Sequence, residues 1–290
     1  MGELYYPWAD IASDAGLVVR VTDTNAGWET RARSTGGYDR APLGCMWHHA
    51  ASSPSTSDEA CVNYQVRGNP DNPVGNGTLG RTGEFWPIAA GASNCSGKGG
   101  PWPFSRGDCP KDSGNTYLVN FEVNNTGVGP PGSPGGAWSV ELIDAYFALS
   151  NAINAYLGNL PGDIVGHHHY TPDRKIDPAT AAAVEGPWHP RSLNASGSWD
   201  LDDMIAEATR RAGPGPEPEP PEDEDMASKN LLVQSSTGSL YVVSSDWQTA
   251  FALWGEDYAA LVLTDQYVEV SGVRDDTIAR IPNVTVVRQG

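Results

Sequence analysis

Residues 166–178 read GHHHYTPDRKIDP, and this stretch carries the most specific pattern in the chain. Three histidines follow a glycine, and a carboxylate, Asp177, comes further along. Pro172 excludes a helix that continues through the stretch, and Pro178 biases the residue before it towards extended backbone. We therefore expect a loop that leaves a short strand.

A second histidine pair, His48-His49, ends an apolar run at 43–47. Neutral imidazole and carboxylate are zinc ligands, and a catalytic site commonly uses three of them from the protein. If the run is a strand, successive side chains point to opposite faces, so only one of His48 and His49 reaches a metal unless the strand ends between them. In the second cluster, spacing alone leaves His167 and His169 as rivals.

A glutamate on an alternating strand is the candidate general base. In the run 117–123, Leu118, Asn120 and Glu122 share one face, and the other face is strongly apolar. Glu122 is then either a solvent-facing glutamate or a base beside the metal, with its pKa adjusted by burial and by the ion.

Composition excludes several classes of protein. The 290 residues carry a net charge of -18, and no basic stripe is visible, which argues against a nucleic-acid binder. No stretch approaches the roughly 18 apolar residues of a membrane span. The first eight residues lack a basic region followed by an apolar one, so we expect synthesis in the cytoplasm without a signal peptide.

An acidic, proline-rich segment divides the chain. Residues 213–225 read GPGPEPEPPEDED, in which proline removes backbone donors and like charges repel. We predict a linker over 213–228 between a large part, 1–212, and a small α+β module, 229–290.

The large part is predicted to be α/β, with a mixed central sheet flanked by helices. Residues 67–116, rich in Gly, Asn, Ser and Pro, are expected to fold over one edge as binding loops. Apolar and β-branched runs predict strands, and helical spacing predicts helices that end near Gly158 and Arg211. The strands are expected at 17–21, 43–48, 62–66, 85–89 and 117–123, and the helices at 139–157 and 198–211.

In the small part we expect strands at 231–233, 240–244 and 261–270, a turn at Gly238, a helix at 247–254, a short second helix and a last strand. Wall binding and oligomerisation compete as its role, and the oligomeric state is left open.

Four cysteines, Cys45, Cys61, Cys95 and Cys109, form no C-x-x-C pair, which argues against a zinc ribbon. Disulfides and free buried thiols remain equal alternatives. Among ten tryptophans, only Trp86 and Trp102 stand in or beside the variable loops, where stacking on sugars competes with packing.

Four segments together resemble the zinc-dependent type 2 N-acetylmuramoyl-L-alanine amidases. These enzymes share their fold with the peptidoglycan recognition proteins and are common among bacteriophage endolysins. The resemblance covers most of residues 1–212 and does not extend to the small module. It is carried by GCMWHHAAS at 44–52, NYQV at 63–66, NFE at 120–122, and the G-H and R-K-I-D-P elements of 166–178.

Position by position, the resemblance implies three metal ligands for Zn2+, namely His48, His167 and Asp177. It implies that Glu122 is the catalytic acid and base, that Lys175 is a cation near the scissile carbonyl, and that Tyr64 lies near the site. His49, His168 and His169 would then contact the ligands or the substrate. The long 67–116 region and the histidine triplet depart from the family pattern.

The implied function is that of a phage lytic enzyme for host lysis. Zinc-activated water would cleave the amide bond between N-acetylmuramic acid and L-alanine in bacterial peptidoglycan, after release of the enzyme from the host cytoplasm to the cell wall. Two alternatives are a non-catalytic peptidoglycan-binding protein on the same fold and an intracellular peptidoglycan-recycling amidase. Such binders usually lack the third ligand, whereas Asp177 is present here.

Overall fold

The structure is a computed structural model, which describes residues 4–69, 72–127, 138–180 and 184–213 and five strands between 230 and 285. The chain forms two compact units, Met1–Gly215 and Pro216–Gly290. The predicted linker, apart from Gly213, lies outside the described residues, and the proposed domain bounds stay predictions.

A five-stranded mixed sheet forms the centre of the first unit, with strand order β3-β2-β6-β1-β7. β1 is the middle of a parallel trio, paired with β6 on one side and β7 on the other. β2 is parallel to β6, and the edge strand β3 is antiparallel to β2. The strands are β1 (Gly44–Trp47), β2 (Gly77–Leu79), β3 (Phe85–Pro87), β6 (Leu118–Val123) and β7 (Ile164–Gly166).

Six helices and a hairpin are found in the described residues of this unit besides the sheet. The hairpin pairs β4 (Trp102–Phe104) with β5 (Gly107–Cys109). The longest helix, α4, packs against α1, α6 and β1. The helices are α1 (Trp8–Asp14), α2 (Asp58–Asn63), α3 (Gly114–Tyr117), α4 (Val140–Leu157), α5 (His167–Tyr170) and α6 (Leu201–Ala212), with a 3-10 turn at Trp28–Thr30 and a π-helical turn at Tyr64–Gly68.

Strand alternation divides the core between the two faces of the sheet. Trp47 and Phe121 point to the face that α1, α4 and α6 cover, and the Trp47 ring stacks on Tyr146 of α4 at 3.8 Å between centroids. Met46 and Leu118 point to the opposite face, where they form a smaller cluster with β4 side chains. The predicted mixed sheet flanked by helices is therefore confirmed.

The predicted helix at 139–157 is also confirmed, as α4. A capping residue marks each of its ends. The Ser139 hydroxyl accepts a hydrogen bond from the Leu142 amide at 3.2 Å and caps the first turn. Gly158 ends the helix with a left-handed backbone, at φ 71°.

Two predicted strands of the first unit are wrong. Residues 62–66 are helical, because the Ser57 hydroxyl caps a helix whose first turn is acidic, and the chain then continues into the π-helical turn. Residues 17–21 make only a bridge from Val19 to Phe85. The loop expected at 167–170 is a short helix, α5, although it ends before Pro172 as predicted.

Five strands are described in the second unit, in the order β11-β8-β9-β10-β12. A helix was predicted at 247–254, and this prediction is wrong for the described residues 249–253. These residues form a strand that pairs with β9 and β12. The predicted turn at Gly238 and the remaining helix lie outside the described residues. The strands are β8 (Asn230–Ser235), β9 (Leu240–Val243), β10 (Thr249–Leu253), β11 (Tyr267–Val273) and β12 (Asn283–Thr285).

Among the helices of the described ranges, none combines the length and the apolar character that crossing a bilayer requires.

Candidate metal centre

The parallel trio of strands delivers three functional side chains to one edge of the sheet. Trp47, the last residue of β1, is in register with Phe121 on β6 and with Gly166 at the end of β7. His48, Glu122 and His167 each come one residue later. Carboxyl ends of parallel strands meet at the same edge, which is where α/β proteins commonly bind ligands.

His48 and His167 converge on the carboxylate of Asp177. Both Nδ1 atoms lie close to the same Asp177 oxygen, Oδ2, at 3.1 Å for His48 and 3.0 Å for His167. The three side chains are buried, and one ligand atom of each lies within 4.8 Å of the others. Two imidazoles and a carboxylate are a donor set that suits zinc.

The outer nitrogen of each imidazole faces an acceptor that assigns its tautomer. His167 Nε2 lies 2.9 Å from the Ser96 carbonyl oxygen, and His48 Nε2 lies 3.1 Å from the Asn120 Oδ1. The Asn120 amide is itself oriented, since its Nδ2 donates to the Leu118 carbonyl. Each Nε2 therefore carries a proton and donates it, which leaves both Nδ1 positions to face Asp177.

This arrangement fits a cation. If both imidazoles are neutral, two nitrogen lone pairs and a carboxylate oxygen face one another with no proton between them, which is repulsive. A positive charge at the point of convergence removes the repulsion. The residues present therefore fit a zinc ion held by His48, His167 and Asp177.

Without a metal, the same charges act on the pKa values of the trio. Burial alone would raise the pKa of Asp177, but its close contacts with the His167 and His48 rings hold it well below its usual range. Burial works against protonation of His48, yet the Asp177 hydrogen bond and the Glu122 charge raise its pKa overall. Burial and the nearby His48 lower the pKa of His167 to about 4.

Glu122 lies beside this centre with one free oxygen. Its Oε1 accepts a hydrogen bond from the Cys95 thiol at 3.2 Å, whereas its buried Oε2 has no hydrogen-bond partner in the structure. Burial raises the pKa of Glu122, with the His48 charge opposing the shift and the Asp177 charge adding to it. An oxygen poised in this way can accept a proton.

Glu122 also lines a polar cleft with a volume of about 1110 Å³. Lys175, which is half-buried, and Tyr64, which is 54% exposed, line the same cleft. Arg33 and Arg174 are the other charged residues among the described lining. The cleft therefore brings together Glu122, Lys175 and Tyr64. Its described lining carries three cationic side chains and one carboxylate.

The other three histidines of the two clusters, His49, His168 and His169, point away from the site formed by His48, His167 and Asp177. His49 Nδ1 accepts a hydrogen bond from the Ala179 amide at 3.3 Å, and burial lowers the pKa of His49 to about 4. His168 is fixed between two backbone carbonyls, those of Asp177 and Trp199, at 3.0 and 2.8 Å. Burial lowers the pKa of His168, and that of His169 to about 4.

The two tryptophans singled out in the sequence are half-buried and are absent from the described lining of the cleft. Trp86 packs on Val62, Val66 and Ile88, and Trp102 lies on β4 with its ring 6.2 Å from that of His169. Both contacts favour packing over sugar stacking.

Three residues of the site were not identified from the sequence, namely Asn120, Ser96 and Cys95. Asn120 shares its face with Glu122, and that alternation could have flagged it. Ser96 and Cys95 lie in the long loop region, where no periodicity reports on spatial proximity. All four cysteines are free thiols.

Comparison with known proteins adds little to this geometry. No family model matches the chain, and no curated protein matches it. A crystal structure of a selenomethionine derivative of AmpD is 15% identical, covering 66% of this chain and 93% of that one, with a TM-score of 0.36. The catalytic domain of XlyA is 16% identical, covering 54% and 86%, with a TM-score of 0.32. With TM-scores this low, neither likeness bears on the function.

Proposed function

We propose that the first unit is a zinc-dependent N-acetylmuramoyl-L-alanine amidase that hydrolyses peptidoglycan. The observation that carries the proposal is the convergence of His48, His167 and Asp177 beside the unpartnered oxygen of Glu122. A metal-assisted hydrolase needs such a donor set, a base and an accessible cleft. The sequence motifs around these residues supply the substrate class, because they resemble those of the type 2 amidases.

The residues of the chain divide the work of amide hydrolysis. When bound, zinc supplies a Lewis acid that polarises a carbonyl and makes water at the site more acidic. Glu122 Oε2 takes a proton from the attacking water and delivers it to the departing nitrogen of L-alanine. The Lys175 ammonium, whose charge already acts on Glu122, stabilises the negative charge that develops on the carbonyl oxygen.

The charge of the cleft fits the same substrate. Although the chain has a net charge of -18, the described charged residues of the cleft are Arg33, Arg174, Lys175 and one carboxylate. Cations attract the carboxylates of a peptidoglycan stem peptide. Asn and Ser side chains on the lining offer hydrogen bonds to amides and sugar hydroxyls.

We extend the proposal to a lytic enzyme of bacteriophage origin, in which the second unit binds the cell wall. This extension rests on the acidic linker composition and the resemblance to endolysins. Tethering would raise the local concentration of substrate without adding contacts at the site.

The decisive experiment compares Glu122→Gln with the wild type on purified peptidoglycan. We expect the variant to retain bound zinc and to lose about 100- to 10000-fold in rate, because only the proton transfer is removed. Metal analysis gives the zinc content, and labelling of new alanine amino termini together with free muramic lactyl groups identifies the bond. The exposed Glu185 provides a matched control, Glu185→Gln, with an unchanged rate.

Full activity of Glu122→Gln, or of wild type after exhaustive chelation, would exclude the mechanism. A zinc-loaded wild type that releases no alanine amino termini would favour the non-catalytic binding protein instead.

A further inference from the structure

The thiol of Cys95 lies at the cleft between two residues of the candidate site, and amide hydrolysis does not need it. Its Sγ is 3.2 Å from the Glu122 Oε1 and 3.6 Å from the His48 Nε2. Cys95 is half-buried and lines the cleft, so an ion from solvent can reach it.

Cys95, Glu122 and His48 together form a second group of metal ligands. One ligand atom of each lies within 4.8 Å of the others. In a tetrahedral site with the bond lengths of zinc, about 2.3 Å to sulfur and about 2.1 Å to nitrogen, those two atoms are about 3.6 Å apart. The separation between Cys95 and His48 has that value.

The two ligand groups share His48 through opposite ring nitrogens. The first group uses Nδ1 and the second uses Nε2. A neutral imidazole has one lone pair, so His48 can serve one group at a time. When Nε2 binds a metal, the ring proton resides on Nδ1, where Asp177 Oδ2 accepts it at 3.1 Å. A carboxylate that orients a metal-binding histidine in this way is a common supporting arrangement.

We propose that Cys95, Glu122 and His48 form an alternative site for a thiophilic divalent cation such as Cd2+, which excludes the metal from the His48, His167 and Asp177 site. Binding breaks the S–H bond, forms a metal–sulfur bond and releases the thiol proton to water. A soft thiolate ligand selects for such cations over harder ones.

Occupation of the alternative site blocks hydrolysis, and this consequence rests on the proposed function. The bound ion occupies Glu122, which can then no longer accept a proton from water. It also withdraws His48 from the first site. A thiophilic ion is thus both a competitor for the activating metal and an inhibitor of the base.

The test measures the ultraviolet charge-transfer band of a cadmium–thiolate bond while Cd2+ is added to the zinc-loaded full chain. We expect the wild type to gain one such band as it releases its zinc. Cys95→Ser should lose the band and bind Cd2+ at least about tenfold more weakly by competition with a chelator. Cys61→Ser is the matched control, because Cys61 lines the same cleft outside the ligand group, and it should behave as the wild type does.

Thermal unfolding checks that each variant is folded. If Cys95→Ser is not folded, Cys95→Ala replaces it in the same test. A band that persists without Cys95, a band that requires Cys61, or Cd2+ binding without a band would overturn the site. Zinc that remains bound beside the cadmium–thiolate band would refute mutual exclusion. None of these readouts needs activity, so the amidase proposal can fail while the site stands. Inhibition by Cd2+ that Cys95→Ser relieves tests the functional consequence.

Discussion

His49 should make the metal-free protein acid-sensitive in a way that one substitution removes. The residue is 7% exposed, and its ring lies against Gly127. The Nδ1 lone pair accepts a hydrogen bond from the Ala179 amide. Protonation would place two donors face to face and would charge a buried ring. Burial accordingly lowers the pKa of His49 from 6.5 to about 4.

The difference between the folded and unfolded pKa of His49 sets the size and sign of the change in the free energy of unfolding with pH. Between pH 6.5 and 4 the unfolded chain binds more protons at this residue than the folded chain does, so the free energy of unfolding decreases as the pH falls. At pH 5, a pKa of about 6.5 unfolded and about 4 folded corresponds to a loss of about 2 kcal/mol relative to pH 7.5. Above the unfolded pKa the residue has almost no such effect.

Urea unfolding followed by tryptophan fluorescence, in the presence of a chelator, measures the free energy of unfolding at both pH values. His49→Gln removes the titrating group, so its loss from pH 7.5 to pH 5 should be about 2 kcal/mol smaller than that of the wild type. The exposed His189 supplies a control, His189→Gln, which should follow the wild type. If wild type and His49→Gln lose equal stability over this range, the reasoning about the buried neutral ring is refuted.

Two further substitutions test contacts around the centre, each against a matched control, by the free energy of unfolding. Gly127→Ala should cost about 2 kcal/mol or more, because a Cβ there would lie 2.1 Å from the His49 ring at φ 69°. Gly16→Ala, at φ 83° with no atom within 4 Å, should cost only about 1 kcal/mol, and equal costs would refute the clash. Tyr146→Phe should cost about 1 to 3 kcal/mol, because its hydroxyl accepts from the His48 amide and donates to the Phe121 carbonyl. The exposed Tyr156 should tolerate the same change, and a Tyr146→Phe variant as stable as wild type would show that these bonds contribute nothing.

Parts of the fold with a local signal could be predicted from the sequence. Helix α4 has helical spacing of its apolar residues and a capping residue at each end. Strands β1 and β6 have dense apolar runs. The prediction of a strand at 62–66 was wrong because β-branched residues indicate burial as well as strand structure. The Ser57 cap upstream favours a helix instead. Strand β2 has three residues and forms through pairing with β3 and β6, which no local pattern reveals.

The candidate site also depends on long-range contacts that local sequence patterns do not reveal. His48 and His49 diverge as predicted, since the His48 ring contacts Asp177 and the His49 ring contacts the Ala179 amide. Strand alternation is not the reason, because β1 ends at Trp47, before both residues. The geometry that separates His167 from His169 depends on α5, which begins directly after β7. Since β7 is a strand only through its pairing with β1, spacing in the sequence could not choose between the two histidines.

The apolar core and the candidate centre are coupled through one side chain. Tyr146 stacks on Trp47, and its hydroxyl binds the backbone of His48 and of Phe121. It therefore ties the end of β1 to β6, next to His48, which directly follows β1, and Glu122, which lies within β6. A shift of one residue in the pairing of these strands would turn Trp47 out of the core and His48 away from Asp177 together. The large cost of exposing a buried tryptophan is thus what holds the ligands in register. This explains why His48 directly follows the apolar strand β1.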